Sequence, residues 1–371
     1  MKSEERLYFL DNLRTFLIFL VVLFHAGVVY ERTGSAASWW IVVDPSTSDL
    51  PGLVNLMLDI FIMPTIFFIA GYFTPVSLER KGGRLFLKTR FRRLMIPWLL
   101  AVFTLMPLYK VIFLYSRGLP QESWTSYFHF TNGIFSMSWL WFLPVLFLFD
   151  CLYLLLSKLN LPTVELTLGQ AVGGVFLAGF VYTVVVGAVG WIGWTKTPLL
   201  DFQNERLLPY FLVFLLGSQC YRLEIFDTKA KNMKLYIAVL ATIWIPMNLY
   251  ILVLLNFFLR PGEFFFSGLI DGLLLWMGFH ASVLGLLYCA VTTFKYYFHK
   301  QGRLGRVLAR LSYNVYIIHV IVLGLIASAL LKTDLPGMLK YSILALTTYA
   351  GSNWIAFAYT HAMKRIGSRA S

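Results

Sequence analysis

Residues 8–30 read YFLDNLRTFLIFLVVLFHAGVVY, an apolar run with an arginine near its start and a histidine near its end. A helix of about 20 apolar residues crosses the ~30 Å hydrocarbon core of a bilayer, so this stretch is read as a membrane span. Arg14 and His25 stand eleven residues apart in it. At about 100° per residue that spacing is three turns plus roughly 20°, which puts both side chains on one face, separated by about 16 Å along the axis. Ionisable groups inside an apolar span are costly and mark functional positions by default. A plainer reading stands beside this one: an arginine that snorkels to the interface and a histidine that bonds a neighbouring helix.

The rest of the chain agrees with a membrane setting. Of its 371 residues 58% are hydrophobic and only 13% charged, with a mean hydropathy of +0.71. A soluble domain cannot hide that much apolar surface, so the expected class is all-α: a polytopic transmembrane helix bundle, a single membrane-embedded domain over residues 1–371. The first apolar run lacks a small-residue cleavage site and reads as a span, not a cleavable signal peptide. Cys151, Cys220 and Cys289 are odd in number and widely spaced, so no disulfide framework or zinc site is expected.

About ten spans are expected, at 8–30, 53–74, 94–115, 138–157, 170–190, 207–222, 233–257, 264–290, 311–332 and 339–362. The net charge of +13 invites a nucleic-acid reading, but the basic residues sort by side. One set of loops and ends holds 22 lysines and arginines and the other holds 7. The positive-inside rule then places both termini in the cytoplasm, and no nucleic-acid partner is expected.

Span one runs outward in that topology, with Arg14 near the cytoplasmic face, able to pair with Asp11 three residues earlier, and His25 in the outer half of the bilayer. Asp59, in span two, falls at a similar depth. A carboxylate beside an imidazole fixes its tautomer and stabilises the imidazolium, so Asp59 is the expected acid–base partner, with Asp271 in span eight as a competitor. The segment at 78–98, LERKGGRLFLKTRFRRLMIPW, carries seven cations and is read as the cytoplasmic loop after span two. Such a run anchors topology on anionic headgroups. Arginine forks also suit phosphate oxygens, and Arg90 and Arg93 share one helix face, so Arg90, Arg93, Lys88 and Arg14 are candidate contacts for a phosphorylated donor. His319, in LSYNVYIIH at 311–319, lies near mid-membrane and is a candidate second catalytic residue or a helix-packing contact. His129, His299 and His361 read as loop or interface residues.

The chain resembles the membrane-bound acyltransferase family 3. The resemblance rests on an arginine, ten residues and a histidine in the first span (Arg14, His25); FFIAGYF at 67–73; RFRRLMIP at 90–97; WFLPVLFLFD at 141–150; and LSYNVYIIH at 311–319, in order along nearly the whole length. Within that family the chain looks most like the branch containing glucan succinyltransferases. Thr65 and Ala70 stand where many members carry an acid and a serine. The resemblance implies an acyl-CoA donor in the cytoplasm, with acetyl-CoA or succinyl-CoA favoured, and a hydroxyl acceptor, often a sugar, on the outer side of a bacterial inner membrane. His25 then acts as general base or as nucleophile, and no metal is expected. The rival class is a proton-coupled secondary transporter with His25 and Asp59 as its relay. It leaves the arginine pair and the ordered motifs unexplained.

Overall fold

The computed structural model describes residues 7–32, 38–123, 125–126, 137–159, 166–227 and 232–367. His129, and the residues at 1–6, 228–231 and 368–371 that enter the charge count, lie outside these ranges. The helices are α1 (Tyr8–Tyr30), α2 (Asp49–Ser116), α3 (Phe142–Lys158), α4 (Leu168–Ala188), α5 (Asn204–Arg222), α6 (Met233–Thr242), α7 (Trp244–Leu259), α8 (Gly268–Tyr297), α9 (Arg303–Leu330) and α10 (Gly337–Gly367). A short antiparallel hairpin, β1 (Trp194–Lys196) with β2 (Asp201–Gln203), precedes α5. Among the described residues, seven stretches are long and apolar enough to cross a membrane: α1, α2, Ser138–Lys158, α4, the α6–α7 pair, α8 and α9. The protein is a multi-pass helical membrane protein. The expected spans 207–222 and 339–362 are also helical, as α5 and α10, but fall outside that apolar set.

The 68 residues of α2 contain two of the expected spans. Gly82 interrupts the helix with φ +69° and ψ 160°, a conformation that favours glycine. Thr74 and Arg90 then touch at 3.1 Å across it. Sixteen residues along a straight helix would hold them about 24 Å apart, so the chain doubles back at Gly82. The segment expected as a loop is therefore two helical arms meeting at one glycine, and its cations ride on helix. Pro246 cannot donate to the carbonyl of Thr242, and the stretch expected as one span over 233–257 accordingly breaks at Ile243 into α6 and α7.

Two compact units divide the chain. The first comprises Met1–Asp59, Leu100–Phe135 and Phe294–Ser371; the second comprises Ile60–Leu99 and Ser136–Thr293. In the first, α1, α9 and α10 pack pairwise on one another. In the second, α4 packs along α5, and α2 crosses α5 at bare backbone. A Cβ on Gly71 would sit 1.9 Å from the Phe214 carbonyl oxygen, and one on Gly217 would sit 2.1 Å from that of Phe68. Small residues let membrane helices approach this closely, which accounts for the glycine of FFIAGYF. Gly71→Ala is expected to destabilise the protein by about 1–3 kcal/mol. Gly174→Ala, whose Cβ would meet nothing within 4 Å, serves as the control. Thermal midpoints in detergent check this, and equal midpoints for the two variants contradict it.

Candidate active site

Two helices 294 residues apart in sequence bring two histidines together: His25 Nδ1 on α1 lies 2.8 Å from His319 Nε2 on α9. His319 Nδ1 in turn lies 2.7 Å from the carbonyl oxygen of Tyr316. That carbonyl only accepts, so His319 carries its proton on Nδ1 and presents a lone pair on Nε2. His25 must then donate from Nδ1. A neutral His25 is left with its lone pair on Nε2, the arrangement a general base or nucleophile needs. The Val21 carbonyl, one turn earlier, is a further acceptor near the same ring. Sequence reasoning expected a carboxylate to orient the imidazole; the partner on Nδ1 is a second imidazole. Asp59 is half-buried on α2 in the same unit.

Arg14 repeats the pattern one stage down. Its Nη2 donates to Asp11 Oδ1 and to the Ala309 carbonyl, both at 3.1 Å. Arg14 and His25 therefore both turn toward α9, at Ala309 and His319, as their spacing on one face requires. The eleven-position step from Arg14 to His25 on α1 matches the ten-position step from Ala309 to His319 on α9 in the same chain direction, so the two helices run parallel here. The rise from Arg14 to His25 is about 16 Å.

A strap, residues 38–48, covers this end of the first unit. Trp40 lies parallel to the His25 ring, with centroids 5.0 Å apart and 14° between planes. Arg117 holds the strap backbone, donating to the carbonyls of Trp40 (2.9 Å) and Ile41 (3.4 Å) while its guanidinium rests 3.7 Å over the Phe113 ring. Tyr109 donates to the Trp39 carbonyl. At the far end of the strap Lys340 of α10 bonds both oxygens of Asp44, at 2.9 and 3.2 Å, and both residues are fully buried. A buried ion pair is costly to desolvate and holds only in one geometry, which fixes where the strap lies.

In the second unit Arg90 is committed locally. Its Nε faces Asp150 Oδ2 at 3.4 Å and its Nη2 donates to Thr74 Oγ1 at 3.1 Å, while Thr74 also donates to Asp150 Oδ1 at 3.2 Å. Asp150 and Thr74 are fully buried. Lys88, Arg92 and Arg93 are exposed on the same arm of α2, and Lys81, across the Gly82 turn, lies within electrostatic reach of Arg93 and Arg90. Like charges gathered this closely suit an anion.

The acyltransferase domain family matches residues 7–357, which take in the second unit, most of the first and every motif of the sequence. The chain belongs to the acyltransferase 3 family. Among curated relatives it is 31% identical over 150 residues to "Glucans biosynthesis protein C" of Salmonella schwarzengrund (strain CVM19633), covering 38% of this chain and 36% of that one. The protein of the same name from Salmonella typhi matches equally, and that of Salmonella agona (strain SL483) is 30% identical over the same length. The chain thus spans little more than a third, 36%, of the length of these relatives. No solved structure matches it.

Two further buried ionisable groups, Asp271 and His280, are engaged locally. Asp271 accepts from the amides of Phe265 (2.7 Å) and Phe266 (3.2 Å), locking the turn before α8, which accordingly begins at Gly268, four residues later than expected. His280 lies 3.2 Å from Thr183 Oγ1 and packs against Gly179. Among the described residues no three His, Cys, Asp or Glu side chains form a group able to hold a metal ion. Sequence reasoning missed Asp150, although it ends WFLPVLFLFD and is an acid within an apolar span, the signal that flags function or pairing. It also missed Trp40, which carries no such signal, because an aromatic near a span end reads as interface belt.

Proposed function

We propose that this acyltransferase moves an acyl group, acetyl or succinyl, from cytoplasmic acyl-CoA to a hydroxyl of a glycan or another exported acceptor at a bacterial inner membrane, with both termini cytoplasmic and the whole chain acting as one catalytic domain. The observation that carries the reading is the His25–His319 pair, whose hydrogen bonds leave the His25 Nε2 lone pair uncommitted by either. The relatives named for glucan biosynthesis support a glycan acceptor.

As general base, His25 Nε2 takes the acceptor's hydroxyl proton while the oxygen attacks the thioester carbonyl. The C–S bond breaks, and the leaving thiolate recovers the proton from the imidazolium as CoA-SH. As nucleophile, Nε2 attacks the thioester carbon, the C–S bond breaks, and the Nδ1 proton, taken up by His319 Nε2, ends on the leaving thiolate as CoA-SH. The acceptor hydroxyl then attacks the acyl-imidazole, the C–N bond breaks, and the released His25 ring takes up the hydroxyl proton. His319 serves both routes by holding Nδ1 and sharing the positive charge. Asp59, in the same unit, is proposed as an acid that assists His25. Donor phosphates are assigned to Arg90, Arg93 and Lys88 on the second arm of α2, and Arg14 is proposed as a phosphate contact on α1 in its own right.

Detergent-solubilised protein is expected to be heat-stabilised by CoA, because a ligand that binds only the folded state raises its stability. Arg93→Gln, alone and with Arg90→Gln, is expected to weaken CoA affinity by about tenfold or more, since each charge-assisted bond contributes on the order of 1.5–3 kcal/mol. The single variant separates binding from the Arg90–Asp150 pair, whose loss strands a buried carboxylate. Unchanged affinity in both would reduce the segment to a topology anchor.

A further inference from the structure

The acyl carbonyl gains negative charge on its oxygen when attacked at His25, and a donor is needed to receive it. An oxyanion of this kind is held by a preorganised N–H in a dry site. Among the described residues of the first unit, one such group lies directly against His25. Trp40 is 1% exposed, and its indole Nε1 is buried with no hydrogen-bond partner among the described residues. Buried donors are almost always paired, and one left open calls for an explanation such as a bound substrate that completes it.

The position of this N–H is not accidental. The indole stacks on the His25 imidazole itself, 5.0 Å between centroids and 14° between planes. The strap beneath it is fastened to four helices. Asp44 N donates to the Val29 carbonyl of α1 at 3.0 Å, and Arg117 and Tyr109 bind the carbonyls of residues 39–41 from the end of α2. Ile41 packs against Gly324 of α9, where a Cβ would come within 2.4 Å of its Cδ1, and Lys340 of α10 grips Asp44. Five residues separate Gly324 from His319 on α9, so the same helix seats the strap and orients His25. A loop that served only to connect α1 to α2 needs none of this.

We propose that the indole N–H of Trp40 is the oxyanion donor of the reaction, bonding the thioester's carbonyl oxygen as His25, or the hydroxyl it activates, attacks the carbon. The proposal rests on the acyl-transfer reading. The carbonyl π electrons move onto oxygen, the N–H⋯O⁻ bond holds them, and they return as the C–S bond breaks and CoA leaves.

Trp40→Phe keeps an aromatic face on His25 and deletes the donor. A β-(3-benzothienyl)alanine at position 40 does the same with the indole's full shape, and so covers the case in which Phe packs poorly. Purified full-length protein is assayed with acetyl-CoA and succinyl-CoA as donors and a β-glucan oligosaccharide as acceptor. Both variants are expected to lose kcat by about 100-fold, with KM for acyl-CoA and the thermal shift by CoA unchanged. A kcat within twofold of wild type overturns the proposal, as does a loss confined to KM. A wild-type protein that transfers neither acyl group overturns the acyl-transfer reading itself, and this inference with it.

Discussion

His25→Ala is expected to abolish acyl transfer while leaving CoA binding at wild-type strength. A positioned general base contributes on the order of 10²–10⁴ in rate, and a nucleophile's removal closes its route altogether. Binding survives because the proposed phosphate contacts are charged groups elsewhere: Arg14 lies about 16 Å down the same helix, and Arg90, Arg93 and Lys88 lie in another unit. The check is paired: CoA affinity from the thermal shift, and thioester consumption with acetyl-CoA and succinyl-CoA. Retained turnover removes His25 as the reacting group. Lost binding together with lost turnover points instead to a collapsed helix packing.

The second large effect concerns His319, which touches no substrate in this mechanism and acts through His25. His319→Ala removes the acceptor that holds the His25 proton on Nδ1. The Val21 carbonyl still faces that ring, so the tautomer is weakened, not reversed, and the expected loss in kcat is about 10–100-fold, less than for His25→Ala. His319→Gln separates orientation from bulk, because its amide oxygen can accept from His25 Nδ1–H. Gln is expected to recover much of the rate that Ala loses, with KM for acyl-CoA unchanged in both. If Ala and Gln are equally impaired, or if the wild-type rate persists in Ala, His319 is a packing residue and not the orienter of His25.

Much of this site was legible in the first span. The eleven-residue interval between Arg14 and His25 requires a shared face, and both residues do turn to one helix, α9. What the interval does not carry is the identity of the partner. A pattern of local spacing has no access to a residue 294 positions away, and the general preference for carboxylates beside imidazoles led to Asp59, whereas Nδ1 meets His319. The LSYNVYIIH motif did single out His319, but only as a candidate. The cations at 80–93 look like a loop because charge and two adjacent glycines resemble a connection. The helix nonetheless continues to Gly82 on both sides, since one residue at positive φ suffices to reverse it. Arg90 reads in the sequence as a candidate phosphate contact; what the sequence does not carry is that its side chain is also shared with Asp150 and Thr74, a sharing that depends on the reversal. Trp40 lay beyond sequence reasoning because its role comes from a strap whose fastenings, Arg117 and Lys340, are distant in sequence and ordinary in composition.

The most direct test supplies purified protein with acyl-labelled acetyl-CoA or succinyl-CoA and a β-glucan oligosaccharide, and follows the label. Acyl transfer at His25 requires saturable CoA binding and label recovered on the glycan as an alkali-labile ester in wild type, with none in His25→Ala. Label that stays on CoA, with no saturable binding of either thioester, contradicts acyl-CoA as donor. The same label on the glycan in His25→Ala contradicts the histidine.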